Sequence, residues 1–417
     1  MRLSPAEFCR LYFRELEAAN IPYVILHSYD TFPHQIASDV DYAVRTSDLS
    51  KLAGVAKAAA ERHGWRLAHT IEPHIYSLYM VAVDAENPHC FLQLDACGHY
   101  VESRCFFFSD AELLTDRTLF KDFFIPAPAA EFGYLLAKAL AKGKPIEPIL
   151  LRLRQLNQTD PAGCEVRFKK LFGENQDLPH QWLERPSLEW QQLVRIFLGR
   201  LRFGPGDKLR EAIRAAKRVA HPKGLHLALL GFDCQLALAV LERVGPMLQA
   251  PLFRSLQIHQ FGSGALRAEQ GDAPFACPIG AIANAFRLAF SFLTLYFLKI
   301  LPAKVRNALL LISPSPDVLL LTPQRYGLGA ARWLARLLPR LLPRADLTVI
   351  LAAQPDEARR PGKDEPPEEL RRQWLTVQEL AKSNPRYVLV SDQQPLDEVT
   401  RQVWKEVVEF LARRENS

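Results

Sequence analysis

The stretch Pro222–Gly231 constrains the fold more than any other. Leu225-His-Leu-Ala-Leu-Leu230 is an aliphatic run, interrupted only by His226, that ends on a glycine. That pattern predicts a strand buried on both faces at the start of a parallel sheet. Apolar runs recur at Leu309–Ile312, Asp317–Leu321, Leu347–Leu351 and Tyr387–Val390, with helical patterns between them. The alternation predicts a doubly wound sheet over residues 221–417, with an acidic, proline-bearing loop at Glu357–Glu369.

Upstream the texture differs. Residues 1–143 mix a capped first helix (Ser4-Pro5-Ala6-Glu7) with strands near Tyr23–Leu26, Asp39–Val44, Arg66–Glu72, Ile75–Val83 and Phe91–Asp95. One helix is expected from Ser47 to a stop at Gly64, and another ends near Lys142-Gly143. Residues 144–220 are leucine- and arginine-rich, broken at Asp160-Pro161 and Gly204-Pro205-Gly206, and read as a helical connector. The expected class is therefore α/β: a mixed α+β unit (1–143), a connector (144–220) and a doubly wound unit (221–417).

At 417 residues and 48% hydrophobic, the chain has room for two or three cores. The net charge of +6 is modest and the arginines are spread along helices, so nucleic-acid binding is not indicated. Seven cysteines form no CxxC pair and no zinc spacing, which fits reduced thiols in a cytoplasmic protein. The first residues read as a helix start rather than a signal peptide. Phe286–Leu301 is apolar on nearly every side but falls short of the roughly 20 residues a bilayer needs. A buried helix is expected there and membrane contact is not, with a place against a membrane surface as the competing reading.

The chemistry concentrates in carboxylates. In Asp39-Val40-Asp41 a strand would turn both acids to one face and Val40 to the other. In Phe91-Leu-Gln-Leu-Asp95 it would put Gln93 and Asp95 together, with Leu92 and Leu94 in the core. Three carboxylates on one sheet face repel unless a divalent cation lies between them, and Mg²⁺ suits such hard oxygen donors. His69, His74, His89 and His99 follow no ligand spacing and are expected to be surface or core residues.

Ser28, the Asp39-x-Asp41 pair and Asp95 make the N-terminal unit resemble the nucleotidyltransferase fold of the DNA polymerase β superfamily. The resemblance implies Mg²⁺ held by Asp39, Asp41 and Asp95, an NTP substrate, and transfer of a nucleoside monophosphate to a hydroxyl, with a sugar of polysaccharide metabolism as the acceptor by analogy. It gives Asp95 the added role of base and places Ser28 on the triphosphate. The family's glycine before that serine is His27 here, a side chain that either blocks close backbone approach to the triphosphate or replaces a lost contact. Lys138 and Lys142, one helical turn apart, are candidates to face phosphate, with plain solvation as the competing reading.

Residues 221–417 resemble thymidylate kinase through Pro222-x-Gly224, the strand into Gly231-Phe-Asp-Cys-Gln-Leu-Ala-Leu238, Pro323-Gln-Arg-Tyr326 and later segments. Against the phosphate-loop pattern G-x-x-x-x-G-K-[ST], Leu236, Ala237 and Leu238 replace the second glycine, the lysine and the hydroxyl residue. Ser313-Pro314 stands where the family has Asp-Arg, and the basic lid is eroded. These losses imply a pseudokinase with a structural or partner-docking role. Asp233 is expected to be a turn residue rather than a catalyst, with a reactive thiol at Cys234, near a helix N-terminus, as a lesser reading. Two other readings stay open: a scaffold without chemistry, and a small-molecule kinase working through Arg359, Arg360 and Lys363.

Overall fold

The computed structural model describes residues 3–32, 36, 39–102, 105–142, 147–173, 194, 203–231, 234–260, 278–352 and 367–415. Pro33, His34, Ser38, Asp233, Cys277, Arg359, Arg360, Lys363 and most of the expected loop at Glu357–Glu369 lie outside the described residues. The chain is mixed α/β and divides into two compact units. One comprises Met1–Asp84 and Cys90–Ala216, the other Ala85–His89 and Lys217–Ser417.

The first unit opens with α1 (Pro5–Ala18), capped by the Ser4–Glu7 box. It continues through β1 (Tyr23–Ile25), β2 (Val40–Val44), α2 (Leu49–Arg62), β3 (Trp65–Ile71), β4 (Ser77–Asp84) and β5 (Phe91–Cys97). Gly64, at a φ of 76°, makes the turn out of α2 that a side chain would resist. The sheet order is β1-β2-β5-β4-β3, with β2 and β5 parallel and the other pairs antiparallel. The hairpin β6 (Tyr100–Glu102)–β7 (Cys105–Phe108), α3 (Asp110–Leu114) and the hairpin β8 (Thr118–Phe120)–β9 (Phe123–Ile125) follow, and then α4 (Pro128–Lys142), α5 (Glu147–Thr159), α6 (Pro161–Phe172) and α7 (Pro205–Ala220), whose last four residues are assigned to the second unit.

Strand alternation sorts this unit into two cores. Val40, Tyr42 and Val44 of β2 and Leu92, Leu94 and Ala96 of β5 pack with Phe8, Phe13 and Leu52 on the α1/α2 side. Ala43 faces the other cluster, built on Phe132 and Leu136 of α4 with Leu153 and Phe168 behind them. Period-two geometry then obliges Asp41 and Asp95 to look toward α4. Asp39 lies one residue ahead of β2, not inside it.

The second unit holds β10 (Leu225–Gly231), α8 (Cys234–Leu252), β11 (Ser255–His259), α9 (Pro278–Leu295), which runs on through a π turn and α10 (Leu301–Val305), and β12 (Ala308–Ile312). It ends with α11 (Val318–Leu321), α12 (Arg332–Leu341), β13 (Leu347–Leu351), α13 (Pro367–Ser383), β14 (Tyr387–Val390) and α14 (Leu396–Arg414). All four pairings in the order β11-β12-β10-β13-β14 are parallel. Ala308, Leu310 and Ile312 face the α9/α12 cluster, whereas a side chain at Gly245 of α8 would come within 3.0 Å of Leu311. Helices therefore cover both faces of the sheet, as its apolar strands require.

Two expectations need correction, and two features were not anticipated. Asp317–Leu321 forms the short helix α11, not a strand: both sheet positions beside β10 are taken by β12 and β13, and a short leucine run suits either structure. Ser255–His259 forms an edge strand that its polar alternation concealed. The apolar helix from Pro278 is buried on one side only: Ala281 and Leu288 lie in the core, whereas Phe286 is 73% exposed and Phe290 is 75%. Gly224 serves backbone packing, because a Cβ there would sit 2.6 Å from Lys304 Cα and 2.7 Å from the Ala308 carbonyl oxygen.

Candidate functional site

Asp41 and Asp95 occupy registered positions on the parallel pair β2/β5, so their side chains leave the same face one strand apart. With Asp39 they form a cluster in which one carboxylate oxygen from each lies within 4.8 Å of the others. None of the histidines weighed as ligands joins it among the described residues. His69 is instead buried in β3, and the backbone N–H of Asp110 donates to His99 Nδ1 at 3.1 Å.

Two nitrogen groups close on Asp41. Lys138 Nζ, from α4, donates to Asp41 Oδ2 at 2.9 Å and to the Tyr134 hydroxyl at 3.1 Å. His27 Nε2 lies 2.5 Å from the same carboxylate oxygen, and its Nδ1 lies 2.7 Å from Ser28 Oγ. A neutral ring protonated on Nε2 satisfies both contacts, donating to Asp41 and accepting from Ser28. Lys138 Nζ is also 2.6 Å from Nε2, a contact that this tautomer does not use as a hydrogen bond. Lys138 is thus not the solvated lysine of the plainer reading, while Lys142, a turn further on, is exposed.

Electrostatics divide the acids. Burial pushes Asp41 up, but the hydrogen bond from His27 and the charge of Lys138 outweigh it and bring its pKa down to about 2. At Asp95 burial first, and then the negative charges of Asp41 and Asp39, outweigh the weaker pull of Lys138 and raise the pKa to about 7. Around neutrality the cluster holds a carboxylate that is permanently ionised beside one that readily takes and gives a proton.

Two hollows meet at these acids. One of about 390 Å³ is lined by Asp95, Glu102, His74, Tyr100 and Phe203; the other, about 520 Å³, by His27, Ser28, Arg152 and Glu131. Asp39, Asp41, Lys138 and Lys142 border both, whereas Asp95 opens only into the first. In the second, Arg152 grips Glu131 through two hydrogen bonds of 2.8 Å, and the Tyr29 hydroxyl donates to Glu131 at 2.5 Å.

The resemblance had located a glycine-like need at position 27. The left-handed backbone falls instead on Ser28, at a φ of 60°, so what His27 changes is the space and charge beside Asp41. Glu131, Arg152, Tyr134 and Glu102 were missed by sequence reasoning, since each looks like an ordinary helix or strand residue. Only a charge at the buried fourth position of α4, Glu131, gave a signal that could have been followed.

In the second unit, the helix following Gly231 begins at Cys234, so Leu236, Ala237 and Leu238 are helical, with Ala237 buried. These three aliphatic side chains offer no polar group to a phosphate. No protein-family model matches the chain, and no curated protein does.

Proposed function

We propose that the N-terminal unit is a Mg²⁺-dependent nucleotidyltransferase that moves a nucleoside monophosphate from an NTP to a hydroxyl, with a sugar as the acceptor class. The observation that carries the reading is the convergence of Asp39, Asp41 and Asp95 within 4.8 Å, with Asp95 near neutrality. Three hard oxygen donors with too little positive charge nearby fit a divalent ion. When bound, Mg²⁺ would supply charge neutralisation at the phosphates and their alignment for in-line displacement.

The protein's own groups account for the remaining steps. The nucleotide takes the hollow bordered by Ser28 and Lys138, and the acceptor takes the one into which Asp95 opens. Asp95 removes the acceptor hydroxyl proton as that oxygen bonds to the α-phosphorus. The α-phosphorus to pyrophosphate oxygen bond breaks, and pyrophosphate leaves with the electron pair. Lys138, released from Asp41 by the incoming charge, is placed to stabilise the transferred phosphoryl group.

The finer architecture belongs to the same proposal: a nucleotidyltransferase fold for the first unit and a degenerate P-loop kinase fold, without phosphoryl transfer, for the second. The free thiols Cys9, Cys90, Cys97, Cys105 and Cys164 are in keeping with a cytoplasmic setting.

A second reading, a non-catalytic binding or scaffold protein, draws on the occupation of Asp41 by both His27 and Lys138. Calorimetric titration of the full chain with Mg²⁺ and each of ATP, CTP, GTP and UTP separates the two. Metal-dependent NTP binding that Asp39→Ala/Asp41→Ala abolishes is expected. Absence of binding with every nucleotide would leave the scaffold; binding that survives the double substitution would move the site elsewhere.

A further inference from the structure

Two neighbouring helices of the C-terminal unit turn apolar rows outward. The α9–α10 stretch buries Ala281, Ala285, Leu288 and Phe292 in a cluster that also takes Ala335 and Leu338 from α12. Away from that core stand Phe286, Phe290 and Leu298 (72% exposed) on the first, and Trp333 (61%) and Leu341 (69%) on the second. Large side chains left in water in such a group mark a surface that is covered in use.

Charge identifies what covers it. Between Pro278 and Arg344 the only acidic residue is Asp317, which is buried, whereas Arg287, Lys299, Arg332, Arg336 and Arg340 are exposed. On α12 the arginines at 332, 336 and 340 run beside Trp333, Leu337 and Leu341 at the same four-residue spacing, so a basic row borders an apolar one. A hollow of about 690 Å³ lined by Arg254, Lys299 and Arg306 adjoins Leu298. Apolar rows edged by cations match the boundary between acyl chains and anionic headgroups.

Ile279–Val305 is long and apolar enough to cross a membrane, and only 28% of its most apolar window is buried. Crossing is disfavoured on two grounds. One side of the helix is committed to the protein core, and Arg287 and Lys299 stand 12 residues apart, ~18 Å along a helix, inside a hydrocarbon layer of ~30 Å.

We propose that the outward faces of α9–α10 and α12 dock the protein on the surface of an anionic phospholipid membrane. The test is flotation of the full-length protein with phosphatidylcholine vesicles, with and without phosphatidylglycerol. Binding to the anionic vesicles about tenfold above the neutral ones, weakening with salt, is expected. It should come with a blue shift of tryptophan fluorescence that Trp333→Phe removes. Phe286→Ser/Phe290→Ser and, on the other helix, Arg336→Gln/Arg340→Gln should each lower binding about tenfold with an unchanged circular dichroism spectrum and melting curve. Failure to float with either vesicle overturns the proposal, as does association that resists alkaline carbonate, which would mean a spanning helix. Self-association in sedimentation velocity, lost in the same variants without vesicle binding, would overturn it in favour of a second copy of this chain.

Discussion

Asp41 and Asp95 face each other across the parallel β2/β5 pair, one held near pKa 2 and the other raised to about 7. The difference comes from α4, which brings Lys138 into hydrogen-bond contact with Asp41, whereas at Asp95 burial and the negative charges of Asp41 and Asp39 outweigh the charge of Lys138. Two chemically identical groups on one sheet face thereby acquire different tasks.

Asp95 binds its proton more tightly in the folded chain than in the unfolded one, where its pKa is about 3.9. That stabilisation is complete below about pH 4 and is lost as pH rises through 7. Without metal, Asp95→Asn should therefore raise stability at pH 8 by on the order of 1–3 kcal/mol. Mg²⁺ should raise the wild-type Tm increasingly from pH 6 to pH 8, roughly tracking loss of that proton, and should not raise that of the variant. Thermal melts with Mg²⁺ or EDTA across this range check both signs.

His27 engages the two groups assigned here to phosphate and metal, Ser28 and Asp41. Replacing it by glycine frees both, and Mg²⁺–NTP binding should tighten about fivefold, the worth of roughly one net hydrogen bond. Calorimetry on His27→Gly tests this. Weaker binding would instead make His27 part of the nucleotide site.

Gly224 donates its N–H to the Lys304 carbonyl at 3.0 Å, and a methyl group there meets backbone atoms that cannot rotate away. Gly224→Ala should destabilise the C-terminal unit by about 3 kcal/mol and leave Mg²⁺ binding in the other unit unchanged. Urea unfolding and calorimetry of the same preparation would distinguish this from a ligand-binding role for the glycine.

His226 is buried with neither ring nitrogen hydrogen-bonded, and burial lowers its pKa to about 4. A histidine neutral in the fold and protonated in the unfolded chain contributes stability that is complete above about pH 6.5 and falls between there and pH 4, by ~1.4 kcal/mol per unit at most. His226→Phe should flatten the acid limb of the stability profile. Denaturant midpoints at pH 7 and pH 5 check it: an equal drop in wild type and variant would assign the acid sensitivity to other groups.

Much of this molecule was legible in the chain because period-two alternation is a local property. Val40 between two acids, and Leu92 and Leu94 around Gln93, sufficed to place Asp41 and Asp95 outside the core, and the aliphatic runs at 225, 309 and 347 announced a parallel sheet buried on both faces. Other features depended on which surfaces meet. Leucines at 318–321 fit a strand or a helix equally well until neighbouring strands had filled the sheet. The apolar composition of 286–301 could not reveal that only one side would find a core. Lys138 reads like any helical lysine, and only the packing of α4 across β2 brings its ammonium within 2.9 Å of Asp41. The sequence by itself determined which side chains share a face, since backbone geometry sets that residue by residue. Tertiary structure decided which faces became sites, because desolvation and charge pairing arise only when elements distant in sequence come together.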